Sequence, residues 1–191
     1  MLKKTLLLTW LMLLSTLAYA APQTAIFGMG CFWCGQADMD KAPGVIQTTV
    51  GYDGGKSPNP TYEKVSSGTT HYVESVKVVY DPSKVSYPQL LNYFWHHIDP
   101  TVKNAQFCDH GEQYRSVIFY LNAKQRQQAL ASLQSLKKTF PAVYTDIIPS
   151  THFYPAETYH QDYYKKNPLR YEFYRWNCGR DARVKEVWHG K

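Results

Sequence analysis

The 191-residue chain is 44% hydrophobic and 15% aromatic, enough apolar surface for one packed core and too much for a disordered or low-complexity chain. Its formal charge of +6 is dispersed among acidic residues except near the C-terminus, where Arg170, Arg175, Arg180, Arg183 and Lys185 gather, and this distribution argues against a nucleic-acid surface. Four cysteines, Cys31, Cys34, Cys108 and Cys178, allow three complete disulfide pairings, but a core of this size needs no covalent staples.

Residues 1–20 combine a basic start at Lys3 and Lys4, a Leu-rich run from Thr5 to Leu17 and a small-x-small end at Ala18-Tyr19-Ala20, the pattern of a cleaved secretory leader. The apolar run is short for a membrane span. Cleavage after Ala20 is expected, which places a mature protein of residues 21–191 in the periplasm or medium and, by removing two lysines, lowers the charge to +4.

Thr24 to Met29 reads as a buried strand, Phe32 to Lys41 as a helix ended by Pro43-Gly44, and Val45 to Tyr52 as a second strand. Asp53 to Pro60 is a loop of turn formers, followed by a short helix from Thr61 to Ser66 that carries Tyr62. Tyr72 to Tyr80 alternates as a strand closed by Asp81-Pro82, and Ser86-Tyr87-Pro88 opens a helix with Leu90, Leu91, Phe94 and Trp95 on one face. Asp99 to Gln113 lacks periodicity and is expected to be a long functional loop. Arg115 to Leu121 is a strand, Ala123 to Thr139 an amphipathic helix, Tyr144 to Pro149 a last strand and Ala156 to Lys166 a helix, before an aromatic and basic tail over residues 167–191. Strands interleaved with helices, some too close for crossovers, predict a single α+β domain: a two-layer sandwich with a mixed β-sheet packed by helices, of ferredoxin-like core.

Cys31 follows the first strand and opens the first helix. Unpaired amides and the positive end of the helix dipole favour a thiolate there, and the thiolate is the nucleophile. Phe32 and Trp33 offer aromatic faces on which a small sulfur compound packs, and Cys34 stands at the spacing of dithiol redox pairs. Glu74 shares a strand face with Val76 and Val78. Desolvation there raises its pKa and makes it a proton donor near neutral pH; the competing reading is an exposed glutamate paired with a lysine. Tyr62 and Tyr114 adjoin loops and carry neutral oxygen donors, and Asp109 precedes His110-Gly111 as an orienting acid or a turn residue.

Three rivals compete with thiol chemistry on a small molecule. Cys31 and Cys34 with His96, His97 or Cys108 and His110 have zinc-ligand chemistry, but no second tight pair follows at a finger-like interval, and export favours disulfides. A thioredoxin-like dithiol oxidoreductase fits the CxxC spacing yet has no use for a buried acid at Glu74. A noncatalytic binding protein stapled by disulfides would show no reactive thiol on titration. Haem attachment is excluded because Gly35, not His, follows Cys34.

Taken together, the chain resembles the A-type peptide methionine sulfoxide reductases. The resemblance is carried in order by Gly30-Cys31-Phe32-Trp33-Cys34, Pro43-Gly44-Val45, Gly51-Tyr52-Asp53-Gly54-Gly55, Pro58-Asn59-Pro60-Thr61-Tyr62, Val79-Tyr80-Asp81-Pro82, Asp109-His110-Gly111-Glu112-Gln113-Tyr114-Arg115-Ser116, and His160-Gln161-Asp162-Tyr163 near Asn167-Pro168. It implies that Cys31 attacks the sulfoxide sulfur, that Glu74, Tyr62 and Tyr114 bind or protonate its oxygen, that Phe32 and Trp33 cradle the methyl group, and that Asp109 helps shape the site. Cys31 then becomes a sulfenic acid that a second thiol condenses into a disulfide. The resemblance further implies reduction of the S epimer, free or in proteins, repair of oxidised proteins, recycling by thioredoxin or a related dithiol, and no metal or organic cofactor. For the resolving thiol, Cys178 in the mobile-looking Asn177-Cys178-Gly179-Arg180 tail is the first choice and Cys34 the second, with Cys108 a bystander lining the pocket. A monomer is expected, without nucleic acid and without stable membrane insertion once the leader is cleaved.

Overall fold

A computed structural model describes residues 21–189, so the leader at 1–20 lies outside the described residues. In chain order the elements are β1 (Gln23–Met29), α1 (Phe32–Met39), β2 (Val45–Asp53), α2 (Tyr62–Ser66), β3 (Val73–Tyr80), α3 (Tyr87–Trp95), the two-residue strands β4 (Ala105–Gln106) and β5 (Asp109–His110), β6 (Ser116–Tyr120), α4 (Ala123–Leu136), β7 (Asp146–Pro149), β8 (Tyr154–Pro155), α5 (Tyr163–Lys166), α6 (Pro168–Asn177) and α7 (Arg180–His189). The main sheet runs β7-β6-β1-β3-β2-β8. Its central order β6-β1-β3-β2, threaded as β1-α1-β2-β3-α3-β6, is ferredoxin-like, and the parallel β6–β7 pair makes the sheet mixed.

Strand periodicity decides which residues meet the helices. Ala25, Phe27 and Met29 of β1 and Val76, Val78 and Tyr80 of β3 join Leu90, Leu91 and Phe94 of α3 in the main core, while Ile26, Val73, Val117 and Phe119 cluster on the opposite face. Each Val, Leu, Ile, Phe or Met side chain fully buried in this way contributes about 1.5–3 kcal/mol. The α3 start is fixed by a capping box, in which the Ser86 hydroxyl accepts from the Gln89 amide and the Gln89 side chain accepts from the Ser86 amide. No helix among the described residues is long and apolar enough to cross a membrane.

Four segments depart from the sequence expectation, the first being Tyr154–Pro155, which forms the short strand β8 on β2 after the strand read as the last. The 99–113 loop contains the β4–β5 hairpin and leads into a 3-10 turn over Glu112–Tyr114. Ala156 to Lys166 is not one helix: the Gln161 side chain bonds the amide and carbonyl of Val50 and the carbonyl of Ala156, which docks this stretch on β2 as turns, and Asp162 at φ 54° leaves only α5 helical. Residues 168–189 are not a free arm but the packed helices α6 and α7, joined at Gly179, whose φ of 67° suits glycine. They are anchored by Arg180, 1% exposed, which donates from Nε to Asp38, from Nη1 to the Met29 carbonyl and from Nη2 to the His97 carbonyl at 2.9–3.2 Å.

Candidate active site

The turn from β1 into α1 builds the centre. Gly30 takes φ 76° and runs so close to β4 that a Cβ would sit 2.5 Å from Cβ of Gln106, so glycine is required on both counts. Cys31 follows as the N-cap of α1, with its carbonyl accepting from the Cys34 and Gly35 amides. The Phe32 amide, one of the donors a helix start leaves unpaired, points instead at Glu74 and donates to its Oε2 at 3.0 Å. Glu74 is 2% exposed, on the core face that period-2 alternation assigns to it, and its partner is this amide rather than a lysine. Burial pushes its pKa up to about 8; the Phe32 amide opposes the rise and the charge of Asp109 adds to it.

Tyr62, the first residue of α2, and Tyr114, the last of the 3-10 turn, converge on the same carboxyl. Burial raises both phenols, Tyr62 to about 12, and the charges of Glu74 and Cys31 raise them further. Neutral phenols beside a protonated carboxyl form a cluster of oxygen-binding donors. Tyr62 is held from behind by Glu157, whose carboxylate accepts from the Tyr62 amide and the Tyr52 hydroxyl, each at 2.8 Å. Asp109 on β5 is half-buried and its pKa is raised by burial, although the Tyr174 hydroxyl donates to its Oδ2 at 2.7 Å and lowers it.

The sulfurs divide into two pairs. Cys31 and Cys34 are free, buried and hydrogen-bonded to each other. Burial pushes the Cys31 thiol up, whereas Cys34 is lowered first by the hydrogen bond from Cys31 and then by Arg180 and Arg175. The helix start holds Cys31, as the sequence predicts, but of the two thiols Cys34 is the one whose deprotonation is favoured. Cys108 and Cys178 form a disulfide with a Cα–Cα distance of 4.9 Å. This corrects two expectations: Cys178 is not a free thiol on a mobile arm, because α6 and α7 pack around it, and Cys108 is not a bystander but its partner. The zinc-ligand set suggested by the sequence does not come together among the described residues. His96 and His97 turn Nδ1 onto the Asn92 and Tyr93 carbonyls, and although sulfurs of Cys108 and Cys178 lie near a carboxylate oxygen of Asp109, they are bonded to each other.

An aromatic wall closes the site. Phe32 is buried against Tyr52; Trp33 stacks on Tyr163 with centroids 3.8 Å apart, meets Tyr174 edge-on at 6.0 Å and donates from Nε1 to His160 Nδ1 at 3.0 Å. The His160 ring packs 4.9 Å from Phe32 and 4.5 Å from Tyr62, and burial lowers its pKa, leaving a neutral imidazole. Cys31, Cys34, Glu74, Tyr62, Tyr114, Asp109, Phe32, Trp33 and the Cys108–Cys178 bridge therefore stand in or beside one site, whereas His96 and His97 lie at the end of α3. Sequence reasoning assigned no role to Glu157, His160, Tyr163, Tyr174, Arg175 or Arg180; the only signal was the His160-Gln161-Asp162-Tyr163 run and the aromatic density after it. Chemically, the arrangement offers a thiol at a helix start, a second thiol beside it, a protonated acid, neutral phenols and an apolar wall.

A family model described as peptide methionine sulfoxide reductase matches residues 23–191. A Caulobacter vibrioides relative, "Peptide methionine sulfoxide reductase MsrA 2", is 45% identical over 176 residues, covering 91% of this chain and 90% of that one. A Vibrio cholerae relative, "Peptide methionine sulfoxide reductase MsrA/MsrB", is 46% identical over 168 residues, covering 86% of this chain; the match spans 44% of that longer protein. Among solved structures, methionine sulfoxide reductase A of Corynebacterium diphtheriae is 35% identical with a TM-score of 0.75, covering 78% of this chain and 76% of its own. Saccharomyces cerevisiae Mxr1 in complex with Trx2 shares the fold at 18% identity and a TM-score of 0.54, covering 78% of this chain and 91% of its own.

Proposed function

We infer, since this chain belongs to the peptide methionine sulfoxide reductase family and is an oxidoreductase of that class, that Cys31 takes the oxygen from the S epimer of methionine sulfoxide, free or in proteins. The observation that carries this reading is the placement of Glu74: a carboxyl 2% exposed, bound to the amide beside Cys31 and holding its proton up to about pH 8. Such a group donates a proton to an oxide oxygen as it leaves sulfur.

The steps balance with the groups at hand. With Cys34 deprotonated, the Cys31 proton passes along the hydrogen bond to the Cys34 thiolate, leaving Cys34 a thiol, and the Cys31 thiolate so formed attacks. Glu74 gives its proton to the oxygen, which Tyr62 and Tyr114 hold; oxygen ends on Cys31 as a sulfenic acid and methionine leaves. Phe32 and Trp33 face the apolar end of the substrate. Cys34 then condenses with the sulfenic acid, expelling water and forming a Cys31–Cys34 disulfide. An external dithiol supplies two electrons and two protons to restore both thiols. A thioredoxin-like protein is the proposed donor, a reading supported by the yeast relative seen with Trx2. Cys34 is preferred as resolving thiol because it is free and bonded to Cys31, while Cys178 is tied to Cys108; resolution by Cys178 requires that bridge to be opened first.

Single-turnover reduction of racemic methionine sulfoxide by pre-reduced protein, followed by mass mapping of the disulfide formed, tests this reading. Cys31→Ser should abolish turnover. Cys34→Ser should leave one turnover and block recycling; recycling that survives in Cys34→Ser and fails in Cys178→Ser would transfer resolution to Cys178. Residues 1–20 are proposed to direct export, so N-terminal sequencing of the mature protein should begin at Ala21.

A further inference from the structure

We propose that the Cys108–Cys178 disulfide is a redox-controlled clamp that holds Tyr174 on Asp109 and thereby sets the substrate-facing geometry of the site. The proposal rests on the assignment of Cys31 as the nucleophile.

The clamp is a closed ring of short connections. Cys178 caps α6, and its amide donates to the Tyr174 carbonyl at 2.9 Å, so Tyr174 stands one helical turn from the bridge. Cys108 is bonded directly to Asp109 in the chain, and its amide lies 3.2 Å from the Cys178 sulfur. Across the ring, the Tyr174 hydroxyl donates to Asp109 Oδ2 at 2.7 Å, with the Cys178 sulfur 3.9 Å from the same oxygen. Tyr174 also meets Trp33 edge-on and reaches the Cys31 thiol. One covalent link thus fixes a phenol and a carboxyl that both border the reacting sulfur.

The β4 side of the Asp109 loop is pinned by the buried Gln106, whose side chain accepts from the Asp99 amide at 2.9 Å and donates to the Asp99 carbonyl at 2.7 Å, whereas the Cys108–Asp109 side is held by the bridge and by Tyr174 from α6. The loop is a two-residue hairpin turned through Phe107 at φ 57° and Gly111 at φ 131°, steadied by a Gly111-to-Asn104 backbone bond and by Arg180 over the Phe107 ring at 4.5 Å. Cys108 is exposed while Cys31 and Cys34 are buried. An external dithiol therefore reaches the bridge first. It transfers two electrons and two protons, becomes a disulfide itself, and leaves two thiols that no longer hold α6 to the loop.

The test uses the whole protein in two states, as isolated with the bridge closed and after dithiothreitol treatment and removal with the bridge open, each assayed by single turnover across a range of methionine sulfoxide concentrations. Opening the bridge should raise the half-saturating concentration about tenfold, the scale of losing a hydrogen bond to a charged group. Cys108→Ser and Tyr174→Phe should each reproduce that shift, and combining them should add little, because both act through one contact. An unchanged half-saturation in the opened wild type, or in Cys108→Ser with only its denaturation midpoint lowered, would overturn the clamp and reduce the bridge to a staple. Turnover that persists in Cys31→Ser would instead defeat the assignment of the nucleophile.

Discussion

Glu74 keeps its proton to about pH 8, so under the proposed mechanism its protonation affects both the rate and the stability. The chemical step should fall as pH rises through about 8, because the deprotonated carboxylate cannot donate. Glu74→Gln should slow that step by about 10² to 10⁴ at pH 7, as removal of a positioned proton donor typically does, read by rapid-quench single turnover. The sign for stability follows from linkage. The folded value lies above the ordinary 4.5, so the stabilising contribution is complete below 4.5 and is lost as pH rises through about 8. Urea denaturation of the wild type relative to Glu74→Gln should therefore favour the wild type at pH 4 and lose that advantage by pH 9. Cys31 shows a different lesson at the same scale. The helix start that favours its thiolate is offset by its own burial, and its hydrogen bond to Cys34, with the arginines behind adding to it, favours deprotonation of Cys34 instead.

Among the elements, the junction of β2 with β8 governs the wall of the site. Gly51 pairs with Pro155, and a Cβ on Gly51 would collide with the Tyr154 carbonyl oxygen and the Phe153 ring. Backbone cannot give way as a side chain can. Gly51→Ala should cost about 1–3 kcal/mol in urea denaturation, and because β8 leads directly to Glu157 and His160, it should also weaken substrate binding. Removing the α3 cap with Ser86→Ala should cost about 1 kcal/mol and leave single turnover unchanged, since α3 packs on the core away from the sulfurs. The short elements were the least legible in the sequence. α5 and the β4–β5 hairpin are too brief for periodicity to register, and the turns after β8 exist because Gln161 bonds the Val50 backbone more than a hundred residues away.

For the whole molecule, Arg180 links the C-terminal helices to the catalytic turn, bonding Asp38 of α1, the end of β1 at Met29 and the end of α3 at His97. Arg180→Ala would strip a buried carboxylate of one of its two arginines and remove a donor from two carbonyls, a loss of about 3 kcal/mol or more. The same variant should raise the pH at which Cys34 becomes reactive to iodoacetamide, because a cation that favours its thiolate is gone. A stability loss without that shift would separate the packing of the tail from its electrostatic reach into the site.

The sequence by itself determined what depends on near neighbours: the strand and helix spacing of the ferredoxin-like core, Cys31 at a helix start, and Glu74 on one strand face with Val76 and Val78, which only the structure showed to be the buried one. Period and capping are local, so they can be read from consecutive residues. Only the tertiary structure decided that Cys178 bonds Cys108, that Tyr174 reaches Asp109, that His160 receives the Trp33 indole and that α6 and α7 fold back onto α1. These contacts join residues 65 to 142 positions apart, and no local propensity encodes such a pairing. They form where packing of the sheet and helices has already brought the partners within bonding distance, and there burial makes each unpaired polar group costly enough to fix its partner.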